Sequence, residues 1–184
     1  MITVYTGNGK GKTTSAIGEA ILSLNKGKKI IMIQFLKGST YTGELTALYC
    51  LGIPLVQFGV GCRWAGMIRT GLKHCTNCGE CFRSNRDPQI ALDLIERALD
   101  YLNKILKNQE FDVIILDEIS HALNHGFLPL ERLIPFLEYN TIEWILTGRR
   151  MPTKLLPLVD SWWELIEVKH PFQQGLPSRR GIEY

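Results

Sequence analysis

Residues 2–14 constrain the fold more than any other stretch of this chain. A short β-prone run, Ile2-Thr3-Val4-Tyr5, passes directly into Thr6-Gly7-Asn8-Gly9-Lys10-Gly11-Lys12-Thr13-Thr14. A helical pattern follows at once, with Ala16, Ile17, Ala20, Ile21 and Leu24 on one face. Strand, glycine-rich loop and helix in that order form the context a phosphate-binding loop needs. Successive backbone N–H groups can point inward, and the helix N-terminus adds positive potential. Lys12 can reach phosphate oxygens, and the Thr13 hydroxyl can ligate magnesium. The usual pattern has four residues between its first glycine and the final Gly-Lys pair. Here Gly7 to Gly11 leaves three, so either Thr6 stands in for the first glycine or the loop is tighter.

The rest of the chain repeats the alternation. Lys29–Phe35 is nearly all apolar after a helix stop at Gly27, as expected of a parallel strand covered on both faces. A helix is expected over 45–51 and a strand over 54–58. Asp87-Pro88 opens a long helix, with Asp87 as N-cap and an apolar face of Ala91, Leu94, Ile95, Ala98, Leu99, Leu102, Ile105 and Leu106. Strands over 111–116, 142–146 and 162–168 and helices over 130–137 and 155–158 complete the reading; 169–184 is a polar tail. The expected fold is α/β, a three-layer P-loop (RecA-like) domain with a mainly parallel central sheet and its ligands at the carboxyl ends of the strands. Length and composition agree: 184 residues with 45% hydrophobic and 21% charged side chains suit a single domain over 1–184. No apolar stretch approaches the ~20 residues that span a bilayer, and residues 1–10 read as a strand, so a cytoplasmic protein without membrane partners is expected. A net charge of +3 is too mild for a nucleic-acid partner; anionic small molecules fit better.

Val113-Ile114-Ile115-Leu116-Asp117-Glu118 reads as a buried strand that delivers carboxylates beside the first strand's loop, one of them to meet the magnesium ion. Between Gly59 and Arg86 the periodicity is lost and Gly, Cys, Arg and Asn accumulate, marking an insertion of the functional kind. It contains Cys75-x-x-Cys78-x-x-Cys81, a spacing that reads as metal or redox chemistry before it reads as disulfides. Three thiolates, completed by His74 or Cys62, can wrap a structural zinc ion or an iron–sulfur cluster; a free-thiol loop is the plain alternative. Cys50 is expected to be a small core residue. His121, just after the carboxylate pair, fits either a ligand-facing or a helix-capping role.

The whole chain resembles the P-loop-type ATP:corrinoid (cob(I)alamin) adenosyltransferases. The resemblance rests on Thr6–Thr14, Gln34-Phe-Leu-Lys-Gly38, Gly43-Glu44, Leu116-Asp-Glu-Ile119, Leu146-Thr-Gly-Arg149, Lys169-His-Pro-Phe172 and Gly181-Ile-Glu-Tyr184. It implies that the 5′-deoxyadenosyl group of ATP passes to the cobalt(I) of a corrinoid, either cobalamin or cobyrinic acid a,c-diamide, with release of triphosphate. In that family ATP lies reversed in a shortened loop, which accounts for the missing residue between Gly7 and Gly11. By the same resemblance Gly7, Asn8, Gly9, Lys10, Gly11, Lys12, Thr13 and Thr14 bind ATP, with Thr13 and Glu118 holding Mg2+. Arg149 and Lys37, near the strand ends, are either secondary contacts or solvated surface charges, and His170 lines the corrinoid side. Trp64 would slide beneath the corrin to displace its lower ligand, although Cys62 stands where many members carry Phe. Leu22 replaces a phosphate-contacting Arg, and an N-terminal extension of longer members is missing before Ile2. A homodimer and a reduced flavoprotein electron donor are further implications. Two other chemistries fit the nucleotide loop taken alone: a P-loop ATPase or kinase, and a nucleotide-responsive metal-binding redox module.

Overall fold

Six short apolar runs become six parallel strands because helices can cover both of their faces. The computed structural model describes residues 1–38, 42–76 and 78–169, with Cys81 and Phe82 described in backbone only. The strands are β1 (Ile2–Thr6), β2 (Ile30–Phe35), β3 (Leu55–Phe58), β4 (Val113–Asp117), β5 (Glu143–Thr147) and β6 (Ser161–Glu164). They lie in the order β3-β2-β4-β5-β1-β6, every neighbouring pair parallel.

Alternation along β2 shows how the layers form. Ile30 and Met32 face one side with Ala16 and Ala20 of α1 (Lys12–Leu24) and Leu48 of α2 (Gly43–Cys50). Ile31, Ile33 and Phe35 face the other, where they join the main core. That side is covered by the helix opened by Asp87-Pro88, which runs from Pro88 to Lys107, and by two later helices, Ile119–Asn124 and Leu130–Leu137. The expected cap is present: Asp87 Oδ1 accepts from the Gln89 and Ile90 amides at 3.1 and 3.2 Å.

Four sequence expectations are corrected. The insertion at 59–86 contains two one-turn helices, α3 (Ala65–Arg69) and α4 (Glu80–Ser84), each too short to show a periodicity. The following helices are therefore α5 (Pro88–Lys107), α6 (Ile119–Asn124) and α7 (Leu130–Leu137). Cys50 is exposed at the end of α2, because the buried position of that helix is Leu48. The carboxylate strand β4 is not beside β1: β5 lies between them. The last strand also ends at Glu164 rather than at 168, since the next residues cross over the glycine loop.

The insertion is fastened at both ends. Its root runs against the exit of β2 so closely that a Cβ on Gly61 would stand 2.2 Å from the Gly38 carbonyl oxygen. Its far end is held by Asn85, buried, whose side-chain amide accepts from the Val60 N–H at 2.7 Å and donates to the Val60 carbonyl at 2.9 Å. Among the described residues no helix is long and apolar enough to cross a membrane.

Candidate active site

The carboxyl ends of β1, β2, β4 and β5 place four polar groups on one rim. The register pairs Gln34 with Asp117 and Tyr5 with Thr147, so the loop after β1 opens beside the ends of its neighbours. Gly7 takes φ +101°, and a Cβ there would stand 2.3 Å from the Leu165 carbonyl oxygen; only glycine fits. The chain beyond β6 presses on the loop at this point. Leu165 N–H donates to the Thr6 carbonyl at 2.8 Å, and Gly9 N–H donates to the Leu165 carbonyl at 2.8 Å. A residue fewer than usual between Gly7 and Gly11 therefore accompanies a loop packed backbone to backbone under residue 165.

Lys12 is buried at the start of α1. Its ammonium donates to the Gly7 carbonyl at 3.0 Å and to the Gly9 carbonyl at 2.7 Å, at the centre of the loop. Burial lowers its pKa and Arg149 adds to the effect, while Glu118 and Asp117 oppose it. Thr13, the next residue, donates its hydroxyl to Asp117 Oδ1 at 2.8 Å, and Thr147 donates to the same oxygen at 2.6 Å. Asp117 Oδ2 accepts from Gln34 Nε2 at 2.8 Å and lies 3.7 Å from the Lys37 ammonium.

Glu118 adopts φ +58° at the start of α6, and its N–H donates to the Thr147 hydroxyl at 3.1 Å. Burial raises its pKa and the neighbouring Asp117 raises it further, against Lys37, Lys12 and Arg149. Lys37 is no solvated surface charge. It pairs with Glu44 of α2, and although burial disfavours its charge, Asp117 and Glu44 together raise its pKa. Burial would raise the Glu44 pKa, yet the Lys37 ammonium holds it below the ordinary carboxylate range.

The remaining expected residues fall in different places. Asn8 and Arg149 line a cleft of about 460 Å³ with Glu164–Glu167, and a second hollow of about 450 Å³ runs from Thr6–Asn8 to Arg150, Met151, Leu156 and Trp162. Lys10 of the loop and Thr14 in the first turn of α1 are exposed. Leu22 is exposed near the far end of α1. Trp64 sits on the insertion as the N-cap of α3, with the Lys73 ammonium 3.8 Å and the Arg63 guanidinium 5.4 Å from its ring centroid. Its N–H donates to Cys62 Sγ at 3.4 Å, and Arg63 pairs with Glu80 at 2.9 Å. Cys75 is half-buried and Cys78 exposed, and no group of three metal-ligating side chains occurs among the described residues; the Cys81 side chain and His170 lie outside them. The His121 ring lies tilted with its centroid 4.6 Å from that of His125, and its Nε2 is buried with no hydrogen-bond partner among the described residues; burial, then His125 and Arg86, lower its pKa.

Sequence reasoning assigned no specific role to two members of the rim. Asp117, rather than Glu118, is the carboxylate on Thr13, and Gln34 appeared only as one letter of a motif. The signal for Gln34 was present: it is the single polar side chain within Ile30–Phe35, whose six residues are all buried.

A parallel sheet with a lysine-centred glycine loop after its first strand, a threonine hydroxyl beside that loop and carboxylates at the rim defines a P-loop nucleotide-binding protein. Comparison with known proteins narrows the class. Residues 1–184 match the family described as ATP:corrinoid adenosyltransferase BtuR/CobO/CobP, and the chain belongs to that family of enzymes. It is 31% identical over 186 residues to the corrinoid adenosyltransferase of Escherichia coli (strain K12), covering 100% of this chain and 85% of that protein. It is 31% identical over 188 residues to the corrinoid adenosyltransferase CobA of Salmonella typhimurium (strain LT2), covering 100% and 85%. The corrinoid adenosyltransferase of Pseudomonas aeruginosa is 27% identical over 188 residues, covering 100% and 83%.

Proposed function

We propose that this chain transfers the 5′-deoxyadenosyl group of ATP to the cobalt(I) of a corrinoid and releases triphosphate in one piece. The observation that carries the reading is the tight loop centred on the Lys12 ammonium, in a chain that matches the family from end to end. Cobalt(I) supplies both electrons of the new Co–C bond, and the C5′–O bond breaks with its electron pair leaving on the triphosphate. Such a reaction calls on the protein for alignment and for stabilisation of growing negative charge. Loop amides from Asn8 to Thr13, with Lys10, Lys12 and Arg149, are the donors and cations for that work.

Magnesium fits the oxygen donors present. The Thr13 hydroxyl proton points to Asp117, which leaves its lone pairs for a cation, and Glu118 is a half-buried carboxylate among Lys12, Lys37 and Arg149. Thr13 and Glu118 would hold the ion, which supplies charge neutralisation on the triphosphate. On the corrinoid side the assigned residues are Trp64, with Cys62 beneath it in the chain, and His170. The reading treats 1–184 as one catalytic domain that works as a homodimer with a reduced flavoprotein as electron donor. For Cys75, Cys78 and Cys81 the reading is a structural zinc ion or an iron–sulfur cluster. Gly79, directly after Cys78, takes φ +76°, the left-handed turn that lets chain fold back around a thiolate. Protein purified without oxygen is expected to hold zinc or iron near one site per chain by elemental analysis; trace amounts of both would sink this part.

The deciding assay mixes protein, Mg-ATP and chemically reduced cob(I)alamin or cob(I)yrinic acid a,c-diamide without oxygen, follows corrinoid absorbance and identifies the phosphate product. Adenosylated corrinoid with triphosphate is the expected result. Unchanged corrinoid with orthophosphate release would place the chain among ordinary ATPases or kinases, and nucleotide binding with no ATP consumed would favour a redox module.

A further inference from the structure

We propose that Gln34 is a positioning residue of the nucleotide site: its buried carboxamide sets Asp117 and, through it, the Thr13 hydroxyl. The inference rests on the reading of Thr13 and Glu118 as magnesium ligands. Gln34 is fully buried in β2, where an unbonded amide would cost roughly 1–3 kcal/mol. Instead it is bonded at both ends. Nε2 donates to Asp117 Oδ2 at 2.8 Å and to Glu44 Oε1 at 3.2 Å, and Oε1 accepts from Gln57 Nε2 of β3 at 2.8 Å. Only one orientation of the amide satisfies these three partners, since two acceptors face one end and a donor faces the other.

The consequence reaches the loop. Asp117 Oδ1 is taken by Thr13 and Thr147, and Oδ2 by Gln34 with Lys37 close by. A carboxylate so bonded at both oxygens is fixed in orientation. It therefore acts on the metal through Thr13, by holding that hydroxyl proton away from the loop. Gln34 also bonds Glu44, the partner of Lys37, so a single amide ties together both carboxylates that flank the cations of the rim. Outer groups of this kind typically change metal affinity by roughly 10–100-fold when removed.

The test is ATP binding by isothermal titration calorimetry, with Mg2+ and with EDTA, near pH 6.5 and pH 8.5. Gln34→Met keeps the volume and removes every hydrogen bond. It is expected to cut the gain in ATP affinity that Mg2+ brings by at least roughly tenfold at both pH values, with the EDTA affinity unchanged within about threefold. Gln34→Glu is isosteric but places an introduced carboxylate between Asp117 of β4 and Glu44 of α2, with Lys37 the nearest cation. Burial and two like charges raise its pKa, so it is ionised and repulsive at the higher pH and protonated, able to donate one bond, at the lower. This variant is expected to lose the Mg2+ gain near pH 8.5 and recover most of it near pH 6.5.

A role confined to filling space predicts equal behaviour of both variants at both pH values, and that result overturns the proposal. So does a retained Mg2+ gain in folded Gln34→Met. Should the buried variants fail to fold, Gln57→Met on the half-buried edge strand removes the donor to Gln34 Oε1. It is expected to lower the Mg2+ gain by roughly threefold to tenfold, and no change there overturns the proposal. Wild-type ATP binding that ignores Mg2+ overturns the metal reading itself, which separates that failure from a failure of Gln34.

Discussion

Replacing Lys12 by Met is expected to lower kcat/KM for ATP in adenosyl transfer by roughly 10²–10³-fold, or about 3–4 kcal/mol of transition-state stabilisation. The ammonium is the buried cation at the loop's centre, within 3.0 Å of two loop carbonyls. A charge held in a desolvated site before the reaction needs no reorganisation when negative charge grows on the leaving group. Lys10 is exposed, where charges act more weakly than in a buried site, so Lys10→Met is expected to cost less than tenfold. Rates for both variants with chemically reduced corrinoid check the difference; equal losses would contradict the central place given to Lys12.

Lys12 also leaves a thermodynamic trace. Burial lowers its pKa in the folded chain, so the unfolded chain binds more protons over the window just below the ordinary lysine range. Folded stability contributed by this group therefore rises with pH in that window. Lys12→Met abolishes that slope, which urea titrations at a series of alkaline pH values would read.

The second large effect is expected at Gly7. Gly7→Ala demands φ +101° of a residue with a Cβ and drives that Cβ to 2.3 Å from the Leu165 carbonyl oxygen. Positive φ alone costs on the order of 1–3 kcal/mol. The clash is with backbone rather than with a flexible side-chain end, so strand β6 or the loop must move. Loss of ATP binding beyond roughly 100-fold is expected, with a drop in melting temperature. Gly11→Ala separates strain from clash, since φ +107° is as demanding there but the nearest atom is the Leu165 side-chain methyl Cδ2 at 3.1 Å. It should lose only the strain, about 1–3 kcal/mol. Gly18→Ala, in the exposed interior of α1 with nothing within 4 Å of the new Cβ, is expected to stabilise by about 1 kcal/mol. Thermal denaturation of the three variants gives the order, and equal effects at positions 7 and 11 would remove the role assigned to Leu165.

Much of the fold and part of the site were legible from local pattern. Strand, glycine loop and helix at 2–24 needed only neighbouring residues to be recognised, as did the Asp87-Pro88 cap and the apolar face of α5. Helices α3 and α4 were invisible because one turn holds no period, and Cys50 was misplaced because residue type alone does not say which face of α2 turns inward. At the site, Lys12 and Thr13 followed from spacing. The division of labour between Asp117 and Glu118 did not, because two adjacent carboxylates look alike in a sequence, whereas Asp117 closes β4 and Glu118 leaves the strand at φ +58°.

The sequence by itself determined what is set by short-range chemistry: a mainly parallel α/β sheet, a phosphate loop with three residues between Gly7 and Gly11, and a buried strand ending in carboxylates. Tertiary structure alone decided the order that inserts β5 between β4 and β1, the passage of Leu165 over the loop, the hold of Asn85 on Val60, and the pairing of Lys37 with Glu44. Each of these depends on which strand lies beside which and in what register. The bond from Thr13 to Asp117 spans 104 residues, and that from Gln34 to Asp117 spans 83. Separations of that length leave no local trace, since a hydrogen bond is specified by distance in space and the chain between its partners is free to carry any pattern that folds.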